Sequence, residues 1–212
     1  MLELDHLVIA ATDLDSGEAW LRERLGTALA PGGRHPGWGT HNRLLALGNR
    51  VYLELIAIDP AAPAPLAPRP FGLDDPALLD RLGQAPRLVH WLVRSTDLDT
   101  DLAALGYSPG PVVPMTRGTL RWRITVPADG RPAGDGLLPS VIAWDVPLSE
   151  QPPARLPPSG VRLAGLSVRG PDALIRRRPA VSAPAPLDWT TAERPALEAR
   201  FETPLGPVTL AG

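Results

Sequence analysis

Leu4 to Asp15 reads LDHLVIAATDLD, and Leu88 to Asp99 reads LVHWLVRSTDLD. The two copies align without a gap. His6 returns as His90, Thr12 as Thr96, and Asp13-Leu14-Asp15 as Asp97-Leu98-Asp99, always 84 residues on. Each copy is an apolar run with one histidine in its first half. A Thr-Asp pair suited to capping a helix follows, then a helical stretch ending in Leu-Gly (Leu25-Gly26, Leu105-Gly106). A strand and helix written twice imply two similar half-domains in one chain. Two histidines at equivalent places then imply one site shared between the halves.

Around each copy the same order of elements can be read. Leu2 to Ala11 is a strand whose alternation puts Leu4, His6 and Val8 on one face. Asp13 to Leu25 is an amphipathic helix stopped by Gly26. A Gly- and Pro-rich turn, PGGRHPGWGT, leads to strands Asn42 to Leu47 and Arg50 to Ile58, joined at Gly48-Asn49. In the last of these Tyr52, Glu54 and Ile56 share a face. The result is a βαβββ unit over residues 1–58. Residues 59–86 form a connector, too rich in proline for regular structure at DPAAPAPLAPRP, with a short helix around Pro76 to Leu82.

Residues 87–148 repeat the unit. The strand Leu88 to Arg94 carries Leu88, His90 and Leu92 on one face, and the helix Asp97 to Leu105 is shorter than its partner. Gly118-Thr119 matches Gly39-Thr40, so Arg121 falls on Asn42 and Arg123 on Leu44. The strands Leu120 to Val126 and Pro139 to Trp144 complete it. Aligned by order, VYLELI falls on SVIAWD, which sets Ala143 against Glu54. Residues 159–212 begin with a fainter third copy, LAGLSVRGPD, with Gly165 in the histidine's place. They end in a hairpin of Leu197 to Thr203 and Pro207 to Ala211. This partial unit is expected to pack on the same domain as a structural cover.

Composition removes several classes of chemistry. All 21 basic residues are arginine, so a lysine Schiff base or P-loop lysine is excluded. Cysteine is absent, which removes disulfides, thiol nucleophiles and thiolate metal sites. A net charge of −2 argues against nucleic acid as a partner. No apolar run approaches a membrane span, and MLELDHL has no basic leader region, so the expectation is a cytoplasmic protein without a membrane partner. Any metal would rest on histidine and carboxylate, which suits Fe, Mn, Zn, Ni or Co.

Paired βαβββ units with histidine on the first strand and glutamate on the last resemble the vicinal oxygen chelate superfamily, the glyoxalase and extradiol dioxygenase fold. The wording LDHLVIA…GTHNRLLALG…YLELIAI is most similar to its glyoxalase-like-domain branch. The resemblance implies an α+β architecture: two modules pair into a curved mixed sheet, a cup with helices outside, holding one divalent metal. Its ligands would come from the first and last strands of each module. Carried onto this chain, those positions are His6, Glu54, His90 and Ala143, the last of which supplies no electron pair.

Three outcomes stay open. The site is a two-histidine, one-carboxylate triad with free positions, or Asp145 substitutes for the missing ligand, or the metal has been lost and the cup is a binding pocket. Asn42, His41, Arg121 and Arg123 are the candidates for holding substrate; two guanidiniums at alternate positions could grip a carboxylate or phosphate. His35 and His41 flank the Gly-rich turn as rim residues. The functional expectation is a metal-dependent lyase, isomerase or dioxygenase acting on a small oxygenated molecule. Its rival is a non-catalytic pocket of the same fold that binds a small molecule without metal. A homodimer is compatible with either.

Overall fold

A computed structural model describes all 212 residues, Met1–Gly212. The first unit comprises β1 (Leu2–Ala10), α1 (Leu14–Leu25), β2 (Ala30–His35), β3 (Thr40–Ala46) and β4 (Tyr52–Ile58). The connector holds a 3₁₀ turn at Pro70–Gly72 and α2 (Pro76–Leu82). The second unit comprises β5 (Arg87–Arg94), α3 (Leu98–Ala103), β6 (Val112–Arg117), β7 (Leu120–Thr125), a 3₁₀ turn at Ala133–Gly136 and β8 (Ser140–Trp144). After α4 (Pro152–Arg155) come β9 (Arg162–Gly170), α5 (Asp172–Ile175), β10 (Val181–Ser182), β11 (Leu187–Thr191), β12 (Ala196–Thr203) and β13 (Gly206–Ala211). No helix is long and apolar enough to cross a membrane.

The two units join edge to edge in one mixed sheet, ordered β2-β3-β4-β1-β5-β8-β7-β6, with β10 also pairing β1. Within each unit the first and last strands run parallel (β1 with β4, β5 with β8), and the units meet at the antiparallel pair β1 and β5. Both helix caps expected from the Thr-Asp repeats form. Asp13 accepts from the Ser16 amide at 2.8 Å and Asp97 from the Thr100 amide at 3.2 Å. Gly26 ends α1 in the left-handed conformation, φ 73°. Gly17 brings α1 hard against the sheet, since a Cβ there would lie 2.7 Å from that of Ala11.

Two strands differ from the sequence reading. PGGRH is not a turn but most of β2, and β6 contains Pro114; these are the two free ends of the sheet. Proline and glycine weaken a strand, yet an edge needs hydrogen bonds on one side only. The sheet curls so far that its ends face each other. No ladder joins β2 to β6, but the Arg117 side chain reaches across, and a Cβ on Gly33 would lie 2.5 Å from its Cδ.

β-Bulges reset the expected faces. Leu4 pairs with Val93 and His6 with Leu92, leaving Asp5 as an extra residue on β1; Val89 is the extra residue on β5. Leu4 and Leu88 therefore join the outer core, while His6, Val8, His90 and Leu92 stay on the inner face. The outer core is the larger, and it runs into a second sheet, ordered β11-β9-β12-β13. With six residues against twelve, α3 covers only half of what α1 does. The second sheet covers the remainder: Leu166, Val168 and Phe201 pack in the same core as Trp91 and Val93, and Trp91 meets Trp189 at 5.8 Å.

Candidate functional site

The bulge on β1 turns Asp5 and His6 to the same side. Asp5 Oδ1 accepts from His6 Nδ1 at 2.6 Å, and Asp5 Oδ2 accepts from Trp144 Nε1 at 3.1 Å. Glu54, from β4, stands on the other side of the ring with Oε2 3.5 Å from His6 Nε2. Asn42, from β3, donates to Glu54 Oε1 at 2.5 Å. Tyr52 stacks on the imidazole at 4.5 Å. Asp5, His6, Asn42, Tyr52 and Glu54 come from the adjacent strands β3, β4 and β1, so backbone ladders fix their spacing.

The electrostatics follow from this arrangement. Burial would strip His6 of its charge, but the two flanking carboxylates outweigh it and raise the pKa to about 9. Glu54 shows the complement: burial pushes it up, while His6 and Asn42 hold it down at about 2. Burial pushes the Tyr52 phenol well above its usual value, helped by Asp5 and Glu54. His6 is an imidazolium at neutral pH, clamped between two carboxylates.

A hollow of about 40 Å³ lies over this pair, walled by Trp38, Trp122, Trp144 and Phe71. Arg117 closes it, donating to Asn42 Oδ1 at 3.2 Å and lying 3.4 Å from His35 Nε2. The arginine offers only donors, so His35 Nε2 accepts and its Nδ1 faces Thr40 Oγ1 at 3.1 Å. Burial, Arg117 and His41 push His35 down to about 4, against the pull of Glu54; it is neutral. Arg117 pairs with no carboxylate and remains a free positive charge at the mouth.

Of the residues singled out from sequence, His6, Glu54 and Asn42 come together here. His90 shares their face of the sheet but does not line the hollow. Its Nε2 accepts from the Ser140 amide at 3.1 Å, its Nδ1 donates to the Gly136 carbonyl at 3.2 Å, and Phe71 covers the ring. Burial drives its pKa down to about 3, so it is neutral with both nitrogens spent. A metal held by His6, Glu54 and His90 does not fit these residues as they stand. His6 spends its two ring nitrogens on Asp5 and Glu54, Glu54 also accepts from Asn42, and no three His, Asp or Glu side chains are gathered to share an ion.

The register also moves the fourth position. Val8 pairs with Glu54, and its repeat equivalent Leu92 pairs with Ser140, so Glu54 corresponds to Ser140 and not to Ala143. Ala143 points into the outer core, three residues out of step, because alignment by order ignored the sheet register. Asp145 is no substitute, being half-exposed and paired with Arg123 at 2.8 Å.

Arg121 and Arg123 flank Trp122, which faces the hollow, so both guanidiniums lie on the outside. His41 alternates with Asn42 on β3 and likewise does not line the hollow. Sequence reasoning missed Asp5, Arg117 and the tryptophan walls. Asp5 was hidden by the bulge, and Arg117 by its place on an unrecognised edge strand.

The fold is shared with a solved structure. A hypothetical protein from Staphylococcus aureus is 17% identical, with a TM-score of 0.51 over 80% of this chain and 69% of that one. Methylmalonyl-CoA epimerase from Mycobacterium tuberculosis is 23% identical over 67% of this chain and 86% of that one, with a TM-score of 0.42. The Streptomyces coelicolor methylmalonyl-CoA epimerase in complex with 2-nitronate-propionyl-CoA is 18% identical over 69% of this chain and all of that one, with a TM-score of 0.41. No curated protein matches the chain. The sequence pattern of the family described as glyoxalase-like domain matches residues 4–205, nearly the whole length. With its paired βαβββ units on one curved sheet, the chain belongs to the glyoxalase-like domain family of the vicinal oxygen chelate fold.

Proposed function

We propose that the hollow binds a small planar oxyanion, a carboxylate or an enolate, without a metal ion. The observation that supports this is the pairing of a buried imidazolium, His6, with an uncompensated guanidinium, Arg117, inside aromatic walls. Charged donors aimed into a dry, low-dielectric site stabilise an oxyanion far more than they would in water. Trp38, Trp122 and Trp144 suit a flat, unsaturated ligand.

Asp5 fixes the imidazole through Nδ1, leaving the Nε2 proton to be shared between Glu54 and the ligand. In an enzyme of this design His6 would be the group that donates a proton to, or hydrogen-bonds, a developing enolate. Glu54 at about 2 is too weak a base to take a carbon-bound proton itself. At about 40 Å³ the hollow has room for little more than one water molecule, whose share of liquid is about 30 Å³. Arg117 must therefore swing aside for a ligand and close over it.

Tryptophan fluorescence tests the proposal directly, because three of the six tryptophans wall the hollow. Benzoate and similar flat carboxylates should quench it saturably, chelator should leave the quench unchanged, and Arg117→Ala should abolish it. Elemental analysis settles the metal-dependent alternative. A stoichiometric divalent ion whose removal also removes binding would overturn the metal-free reading.

A further inference from the structure

A second cavity, about 320 Å³, opens between α2, the Ala133–Gly136 turn, β5 and the first residues of β12. It shares only Phe71 with the hollow around His6. Three guanidiniums line it: Arg81, Arg87 and Arg131. Most arginines of this chain sit in ion pairs, but Arg81 and Arg87 form none, and Arg131 reaches Asp75 only at 4.0 Å. Arg87 Nε is buried with no hydrogen-bond partner. Buried donors in native proteins are rarely left without an acceptor, so this one points to an acceptor that the chain does not supply.

The acidic side chains on the wall leave that role unfilled. Asp75 is occupied in capping α2, accepting from the Ala77 amide at 2.9 Å. Asp135 lies exposed at the rim, its backbone in the left-handed region at φ 53°.

We propose that this cavity is a separate binding site for a small organic phosphate. A phosphoryl dianion can turn one terminal oxygen to Arg87 and one to each of the two further guanidiniums, with twice the charge of a carboxylate and one oxygen more. The apolar part of the cavity, Phe71 and Leu137, accommodates the organic portion. Nothing in this assignment depends on what the hollow around His6 binds.

Calorimetry on the full chain with phenyl phosphate, inorganic phosphate and benzoate tests it. Phenyl phosphate should bind saturably, tighter than inorganic phosphate by about tenfold or more, and in the Arg117→Ala chain, whose hollow takes no benzoate, benzoate should bind weakest. Arg87→Met should weaken phenyl phosphate by at least about tenfold. It should not lower the unliganded melting temperature, because it removes the unpartnered donor. Arg131→Gln, at an exposed position, should weaken binding severalfold with no change in melting temperature, which keeps the test valid should the Arg87 variant fold poorly. Arg117→Ala should leave phenyl phosphate binding intact. The proposal falls if phenyl phosphate gives no saturable heat at millimolar concentration. It falls equally if binding is lost in Arg117→Ala and kept in both the Arg87 and Arg131 variants.

Discussion

His6 and His90 occupy equivalent places in the repeat and have opposite electrostatic fates. His6, raised to about 9 from 6.5, stabilises the fold fully below 6.5, and that contribution is lost as pH rises through 9. His90, lowered to about 3, contributes above 6.5 and fails as pH falls toward 3. Glu54 adds to the acid loss between 4.5 and 2. Stability should therefore peak near neutrality, and a nitrogen-detected NMR titration should show one imidazolium surviving to about pH 9 beside two rings, those of His35 and His90, neutral at pH 5. Ligand affinity in the hollow should hold at neutral pH and decline above 9 as His6 loses its charge. Glu54→Gln removes one of the two carboxylates holding that charge. It should lower the His6 pKa and cost about 3–5 kcal/mol in denaturant unfolding, the range for breaking a buried pair.

At this scale the sequence disclosed half of the site. His6 stood out because the repeat carries its histidine twice, Glu54 because a charge in an apolar strand needs a reason to be there, and Asn42 through its match to Arg121. What turned Asp5 inward was a single extra residue in a ladder, and no local pattern announces a bulge. The same limitation explains Ala143. Repeat alignment by order misses the register that pairs Leu92 with Ser140. Ala143→Glu, placed in the outer core at 5% exposure, should destabilise the chain by several kcal/mol with or without divalent metal, as an unpaired buried carboxylate does. Thermal melts in both conditions check this.

Among the elements, the long, strongly patterned ones were legible: both capped helices, the central strands and the closing hairpin of β12 and β13. The edges β2 and β6 were not, because proline and glycine there are tolerated by position in the sheet and not by local preference. α1 approaches the sheet through Gly17, where a Cβ would be 2.9 Å from Leu55 Cδ1 as well as crowding Ala11. Gly17→Val should force the helix outward and cost about 1–3 kcal/mol, the usual range for overpacking. The second sheet makes up for the short α3. A chain ending at Pro158 should expose Trp91 and Val93 and lose cooperative unfolding altogether, measurable as a collapsed near-UV dichroism signal. Retained cooperativity would show that β9 to β13 are an ornament and not a cover.

At the scale of the whole molecule, two half-domains share a sheet whose ends nearly meet without pairing. The Arg117 side chain, lying over Gly33, spans the seam between β2 and β6. On the proposed reading, admission to the hollow is a question of one half-buried side chain rotating, and not of strands separating over microseconds or longer. Observed association rates in stopped flow should rise linearly with ligand concentration and reach no plateau, because no slow opening precedes the encounter. Gly33→Ala, whose methyl group would crowd Arg117 Cδ, should push the guanidinium off its closed position, speeding escape and weakening affinity. On the proposed reading the seam makes for fast exchange: the occupant is held by charge, and a single arginine sets its residence time.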